Sequence, residues 1–270
     1  MAQDEYFAAN RANWDDRAAI HVTSRMYDVE GFVAGTRVMG ASNRQEDIDG
    51  VGDVAGKTLL HLQCHIGLDT LTWARRGARV TGLDLSPRSI AAARELAERT
   101  ELTDARFVEA NVYDACEALG GEQFDVVFTG VGALNWLPDV RRWAAVVGRL
   151  VKPGGVFYMR EFHPMTATLD DEDPEGRLVV RYPYFETEQP QAWDDAVTYT
   201  DNPARAEHHQ HAQLRVEPRP GRGGDGADRQ RACASSSCGS TTGASPGCCR
   251  GWWRTARAAG CCPRAASGCR

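Results

Sequence analysis

Residues 58–85 read TLLHLQCHIGLDTLTWARRGARVTGLDL, two short apolar runs on either side of a helical stretch. TLLHLQ (58–63) and ARVTGLDL (78–85) have the near-continuous apolar text of strands buried on both faces. LDTLTWARRG (68–77) has helical spacing and closes at Gly77. Two strands joined through a helix pair side by side in parallel. The pattern then continues outward. Pro87 opens a helix, RSIAAARELAERT; ARFVEA (105–110) and FDVVFTG (124–130) are strands; DVRRWAAVVGRLV (139–151) is a helix. Lys152-Pro-Gly-Gly155 is a turn that leads into the strand VFYMREF. Five such repeats predict an α/β chain, a doubly wound and mostly parallel sheet with helices on both faces.

Before this core, residues 5–20 suit an amphipathic helix with Phe7, Trp14 and Ala18 among its apolar positions, and a weaker helical stretch spans 27–33. After His163 the text turns irregular, with YPYF, Trp193 and an acidic DDEDPE. The predicted organisation is a helical lid (1–50), a ligand-binding core (51–164), a cap or loop region (165–204) and an aberrant tail (205–270). The whole chain is 42% apolar and 25% charged, ordinary for a globular protein. No apolar run approaches the ~18 residues of a membrane helix. The first residues, MAQDEYFAANRANWDD, are too polar for a signal peptide, so cytoplasmic placement is expected.

The tail is a different kind of text. Residues 1–204 carry 20 Lys+Arg and 33 Asp+Glu, a net of −13; residues 205–270 carry 11 Arg and 4 acids, a net of +7. Seven of the nine cysteines lie there, and its only branched aliphatics are Leu214 and Val216. A segment so poor in core residues cannot offset its own chain entropy. Cys248-Cys249 and Cys261-Cys262 make a poor zinc template, so no metal is expected. Gly, Ala, Arg, Pro, Ser and Cys are what GC-rich DNA yields out of frame. Codons exist for 211–228 that, read one base later, give TRNYEWNHGLGEVVTALI, and codons for 235–256 read two bases later allow EFLREHDW followed by LLPGMVEDG. The tail is therefore expected to be frame-shifted, unpacked and without site residues.

In a doubly wound sheet, ligands bind at the carboxyl ends of the strands where strand order reverses. The first such turn is His61-Leu-Gln-Cys-His-Ile-Gly67, without G-x-G-x-x-G but with Gly67 available for close backbone approach. Asp84 ends the second strand, where a carboxylate accepts both ribose hydroxyls of an adenosine. Asn111 follows the third strand, where an amide reaches an adenine edge or simply caps a loop. Thr129-Gly130-Val131-Gly132 follows the fourth. His61 reads as a core histidine and Cys64 as a small buried hydrophobe. His65 either lines the ligand or caps the helix. Trp14 and His21 either touch the ligand or pack their helix down. Glu161 and His163 end the fifth strand, and His163 is the candidate general base.

LLHLQCHIGLDTLTWARRGARVTGLDLS, FDVVFTGVGALNWLPD and LVKPGGVFYMREFHP resemble, in order and spacing, the motifs of class I S-adenosylmethionine-dependent methyltransferases, which share a Rossmann-like fold. The nearest likeness is to a bacterial branch with an LQCH-type first turn, whose leading helix resembles NRANWDDRAAIH. The resemblance covers roughly residues 5–200. It implies that Gln63, His65 and Gly67 face the methionine end of the cofactor, that Asp84 holds the ribose and that Leu85 lies against the adenine. It further implies that Asn111 and Val112 frame the base, that Gly130 lines the sulfonium pocket, and that Trp14 and His21 come from a helix closing over the cofactor. The family favours Gly at the places of Gln63 and His65, and commonly Asp at Asn111. The implied activity is in-line transfer of a methyl group to a small-molecule acceptor. A nicotinamide-dependent oxidoreductase needs glycines where Gln63 and His65 stand; a non-catalytic nucleotide-binding protein of this fold is the other rival. Nucleic acid is disfavoured by the acidic body, and no membrane partner is expected. The acceptor and the oligomeric state are left open.

Overall fold

The computed structural model describes residues 3–170, 173–185, 187, 190–213 and 256–257. Three helices lead: α1 (Gln3–Val22), α2 (Val29–Val33) and α3 (Gln45–Val51). The core follows as β1 (Thr58–Leu62), α4 (Leu68–Arg75), β2 (Arg79–Asp84), α5 (Pro87–Arg99), β3 (Arg106–Glu109), α6 (Ala115–Ala118), β4 (Phe124–Thr129), α7 (Val140–Leu150) and β5 (Val151–Met159). Short strands complete it: β6 (Leu169–Asp170) with β7 (Val179–Val180), β8 (Gln191–Asp194) with β9 (Gln210–Gln213), and β10 (Ala256–Arg257).

The main sheet runs β10-β5-β4-β1-β2-β3, with β1 to β5 parallel. This is the doubly wound Rossmann-like sheet that the repeats predict. β1 lies between β2 and β4, with Leu60 opposite Thr81 on one side and Val127 on the other. The order of winding reverses there, which places a crevice beyond the carboxyl ends of these strands.

Alternation along the strands supplies both faces. Leu60, Leu62 and Val127 pack with Trp143, Val146 and Leu150 of α7. Leu59, Val126 and Phe128 pack on the opposite face with Trp73 of α4 and Ile48 of α3. Each fully buried side chain of this kind is worth roughly 1.5–3 kcal/mol. α5 starts where the sequence places it: Ser86 accepts the Ser89 N–H, and Pro87 takes the first turn. Neither α3 nor the turn of helix at 112–118 was legible beforehand.

Two expectations need correction. Pairing of β5 with β4 passes from Phe124–Val151 to Val126–Val156, so 152–155 loop out as a bulge inside one strand, and the strand stops at Met159 rather than Phe162. The tail boundary at 205 is also wrong. Residues 205–213 are packed: β9 pairs antiparallel with β8, His211 is buried, and Asn13 of α1 donates to the His208 carbonyl. Backbone pairing and docking on α1 hold this segment without aliphatic side chains. Residues 256 and 257 pair antiparallel with Phe157 and Val156, so the free β5 edge is not seen at those positions. The remaining tail, 214–255 and 258–270, lies outside the described residues, as does the reading-frame question.

Candidate functional site

A cleft with about 1030 Å³ of non-atom space, partly open to solvent, lies at the carboxyl ends of β1, β2 and β4. Its walls are 63–66 after β1, 83–85 at the end of β2, 110–112 after β3 and 130–133 after β4. Phe7, Asn10 and Trp14 of α1 cover it, with Trp136 and Tyr199. Charged and polar contacts hold α1 there: Ser86 donates to Asp15 at 2.6 Å, and Arg88 pairs with Asp16.

The LQCH turn is unusual in its backbone. Gln63, His65 and Gly67 have φ values of 57°, 50° and 81°, all left-handed. The turn therefore keeps a glycine-type conformation at two positions that carry side chains, at a cost of roughly 1–2 kcal/mol each. Asp84 offsets part of this. Its two carboxylate oxygens accept the His65 N–H at 2.8 Å and the Ser86 N–H at 2.9 Å. Burial raises the Asp84 pKa to about 6, against the lowering effect of the Ser86, His65 and Leu85 N–H groups. Gly67 does not line the cleft. It caps α4 from beneath, where a Cβ would lie 2.7 Å from Ala93 Cβ and 3.0 Å from the Phe107 ring.

The side chains of the turn split in direction. Gln63 Nε2 donates to the Ala133 carbonyl, while its Oε1 is buried with no donor among the described residues. His65 lies between Ser89 (3.2 Å) and His21 Nδ1 (2.8 Å). His21 is fully buried outside the cleft wall, and its Nε2 has no partner among the described residues. Burial, reinforced by the Arg17 charge, pushes His21 down to about 3; burial, then His21, then Arg17 push His65 well below the usual imidazole value. Both rings are therefore neutral at pH 7 and share one proton across their contact.

Leu85, Asn111, Val112, Gly130 and Trp14 all border the cleft. Asn111 Oδ1 accepts the Tyr113 N–H, which leaves its amide NH2 as the free end. His61 and Cys64 are buried, with the His61 ring 2.8 Å from Thr70 Oγ1. His163 departs from expectation. β5 has ended four residues earlier, the side chain is exposed, and its Nδ1 accepts the Met165 N–H in a local turn. Glu161 instead turns inward and accepts from the Gly132, Ala133 and Leu134 N–H groups, pinning the loop after β4. For the methyl transfer that the resemblance implies, His163→Ala is accordingly expected to leave the rate within about twofold, whereas a base in direct contact is worth roughly 10²–10⁴. A loss of that size in a steady-state assay would restore His163 to the reaction.

Sequence reasoning missed Asp69, Trp136 and Tyr199. Trp136 sits inside a quoted motif, but only folding brings its ring to 5.0 Å from Trp14. Tyr199 belongs to the irregular stretch after β8, whose hydroxyl meets that of Tyr27 at 2.7 Å.

Residues 60–157 match the family model of a methyltransferase domain. The core is thus similar to a methyltransferase domain. Relatives of this domain include the ubiquinone biosynthesis O-methyltransferase of Psychrobacter cryohalolentis, 37% identical over 103 residues, 38% of this chain and 40% of that protein. The protein of the same name from Sodalis glossinidius is 33% identical over 138 residues, 51% of this chain and 54% of that one. The chain thus spans about half the length of the curated relatives it matches. The solved DhpI-SAH complex is 18% identical with a TM-score of 0.50, covering 87% of this chain and 88% of that one, a likeness of fold. Among the described residues, no helix is long and apolar enough to cross a membrane.

Proposed function

We propose that the chain is an S-adenosylmethionine-dependent methyltransferase that acts on a small-molecule acceptor in the cytoplasm. The observation that carries this reading is the convergence of Asp84, Gln63 and the left-handed turn on one cleft at the switch point of the sheet. The residues present fit the cofactor. Asp84 keeps acceptor capacity for ribose hydroxyls beyond its two N–H partners. The buried Gln63 Oε1 lacks a donor, and a ligand ammonium supplies one. Leu85 and Val112 offer apolar contact to a base, with the Asn111 amide at its edge. Glu161 holds the loop after β4 by accepting from the Gly132, Ala133 and Leu134 N–H groups, just beyond Gly130. Free Cys64 and Cys116 suit a reducing compartment.

The bound cofactor supplies an already activated methyl group on a sulfonium. The protein's work is then to align the acceptor and exclude water. α1 does the second, laying Phe7, Asn10 and Trp14 over the cleft. A cleft covered in this way by side chains of α1, Trp136 and Tyr199 favours a small acceptor over a nucleic acid.

Calorimetric titration of the full chain with S-adenosylhomocysteine, then methyl transfer from labelled cofactor to a metabolite pool, tests the reading. Binding with turnover supports it; no binding removes it, and binding without turnover favours the non-catalytic alternative. The pH dependence is specific. With Asp84 at about 6, the charged form that receives ribose hydroxyls falls to about one-tenth at pH 5. Affinity is therefore expected to weaken about tenfold from pH 7 to pH 5, and Asp84→Asn to flatten the curve. Stability has the opposite slope for this group: its raised pKa favours folding at low pH, and that contribution is lost as pH rises from 3.8 through 6.

A further inference from the structure

Arg17 stands on the inner face of α1, one turn from Asn13 and Trp14 and one turn before His21. It is 6% exposed. No carboxylate lies within ion-pair distance among the described residues, and its one hydrogen bond runs from Nε to Asn13 Oδ1 at 2.7 Å. Arg160, also partly buried, shows what a matched arginine looks like here: Asp47 accepts from both its Nε and Nη2. A guanidinium has five donors, and a buried one without a counter-ion is costly.

The position of this cation is defined. Its guanidinium carbon lies 5.5 Å from the Trp14 ring centroid and 5.8 Å from that of Trp136, both rings that border the cleft. Tyr27 and Tyr199, also on the cleft wall, lie close enough to feel its charge. Asp195 acts on it only from beyond ion-pair range. His211 of β9, with its ring 5.1 Å from Trp136, also feels the Arg17 charge. Apart from α1 and Tyr27 just beyond it, these neighbours come from the loop after β4 and the segments after β7; of the turn after β1, His65 also feels the Arg17 charge.

We propose that Arg17 recognises an anionic oxygen group on the methyl acceptor, so that the acceptor is an acid bearing a carboxylate or a phosphate-type group. The inference rests on the methyltransferase reading and gives its substrate class. A guanidinium fork matches such oxyanions with two parallel hydrogen bonds, and the two tryptophan rings hold the fork in place while excluding water.

The test uses the full chain saturated with S-adenosylhomocysteine, titrated with benzoate, phenyl phosphate and the neutral benzamide, followed by tryptophan fluorescence. At least one acid is expected to bind ten or more times more tightly than benzamide. Arg17→Met should bring that ratio close to one, and Arg17→Lys should keep part of it, with S-adenosylhomocysteine affinity within threefold throughout. The wild-type ratio needs no variant, so a poorly folded Arg17→Met protein does not leave the question open. Equal binding of benzamide and the acids, no acid binding up to the solubility limit, or an acid preference that survives in Arg17→Met overturns the proposal. A tenfold loss of S-adenosylhomocysteine affinity in Arg17→Met also overturns it, by assigning the cation to the cofactor's own carboxylate. Failure of the methyltransferase reading looks different: the wild-type chain then does not bind S-adenosylhomocysteine at all.

Discussion

Replacing Asp84 with alanine is expected to weaken S-adenosylhomocysteine binding by at least about 100-fold. Two ribose hydroxyls donating to a charged carboxylate contribute roughly 1.5–3 kcal/mol each, and tenfold in affinity corresponds to about 1.4 kcal/mol. The variant also removes the acceptor of the His65 and Ser86 N–H groups, so thermal stability should fall with it. Asp84→Asn separates the two effects. An asparagine oxygen keeps one acceptor for the turn but gives up the charge, so its stability loss should be smaller while most of the affinity loss remains. Affinity in Asp84→Ala within threefold of the wild type, measured by calorimetry, would remove the ribose assignment.

The second large effect is on stability. Gly67→Ala is expected to destabilise the fold by about 2–5 kcal/mol, seen as a lower denaturant midpoint with an unchanged slope. A left-handed residue with a Cβ costs roughly 1–2 kcal/mol. Crowding against Ala93 and Phe107 adds roughly 1–3 kcal/mol, because both neighbours are buried and cannot move freely. Gly120 is the control. Its φ is 63°, but nothing lies within 4 Å of its would-be Cβ, so Gly120→Ala should show only the backbone part. Equal losses at the two sites would mean that the close approach beneath the turn is absent in solution.

The sheet was legible because its strands are short, apolar on both faces and punctuated by Gly77, Pro87 and Gly155. Parallel order follows almost directly from that pattern. The place of Asp84 at the end of β2 was legible for a similar reason, since the apolar run stops at a carboxylate. The first turn was only half legible. Gln63 and His65 in place of glycine read as a departure in chemistry, whereas the backbone there remains left-handed and the side chains add to the wall. His163 failed because its placement assumed that β5 ran on to Phe162; with the strand ending at Met159, Glu161 takes the inward place. Arg17, Trp136 and Tyr199 meet only through tertiary folding, which no periodicity reports. Composition also misjudged residues 205–213. A strand without aliphatic residues still packs when His208 and its carbonyl are held by Asp16 and Asn13 of a helix already in place.

The most direct measurement is a crystal structure of the full chain grown with S-adenosylhomocysteine. The account predicts the nucleoside at the carboxyl ends of β1 and β2, with both ribose hydroxyl oxygens within about 3.0 Å of Asp84 carboxylate oxygens and the ligand ammonium against Gln63 Oε1. Ligand density elsewhere, or in this cleft with the ribose turned away from Asp84, would contradict it.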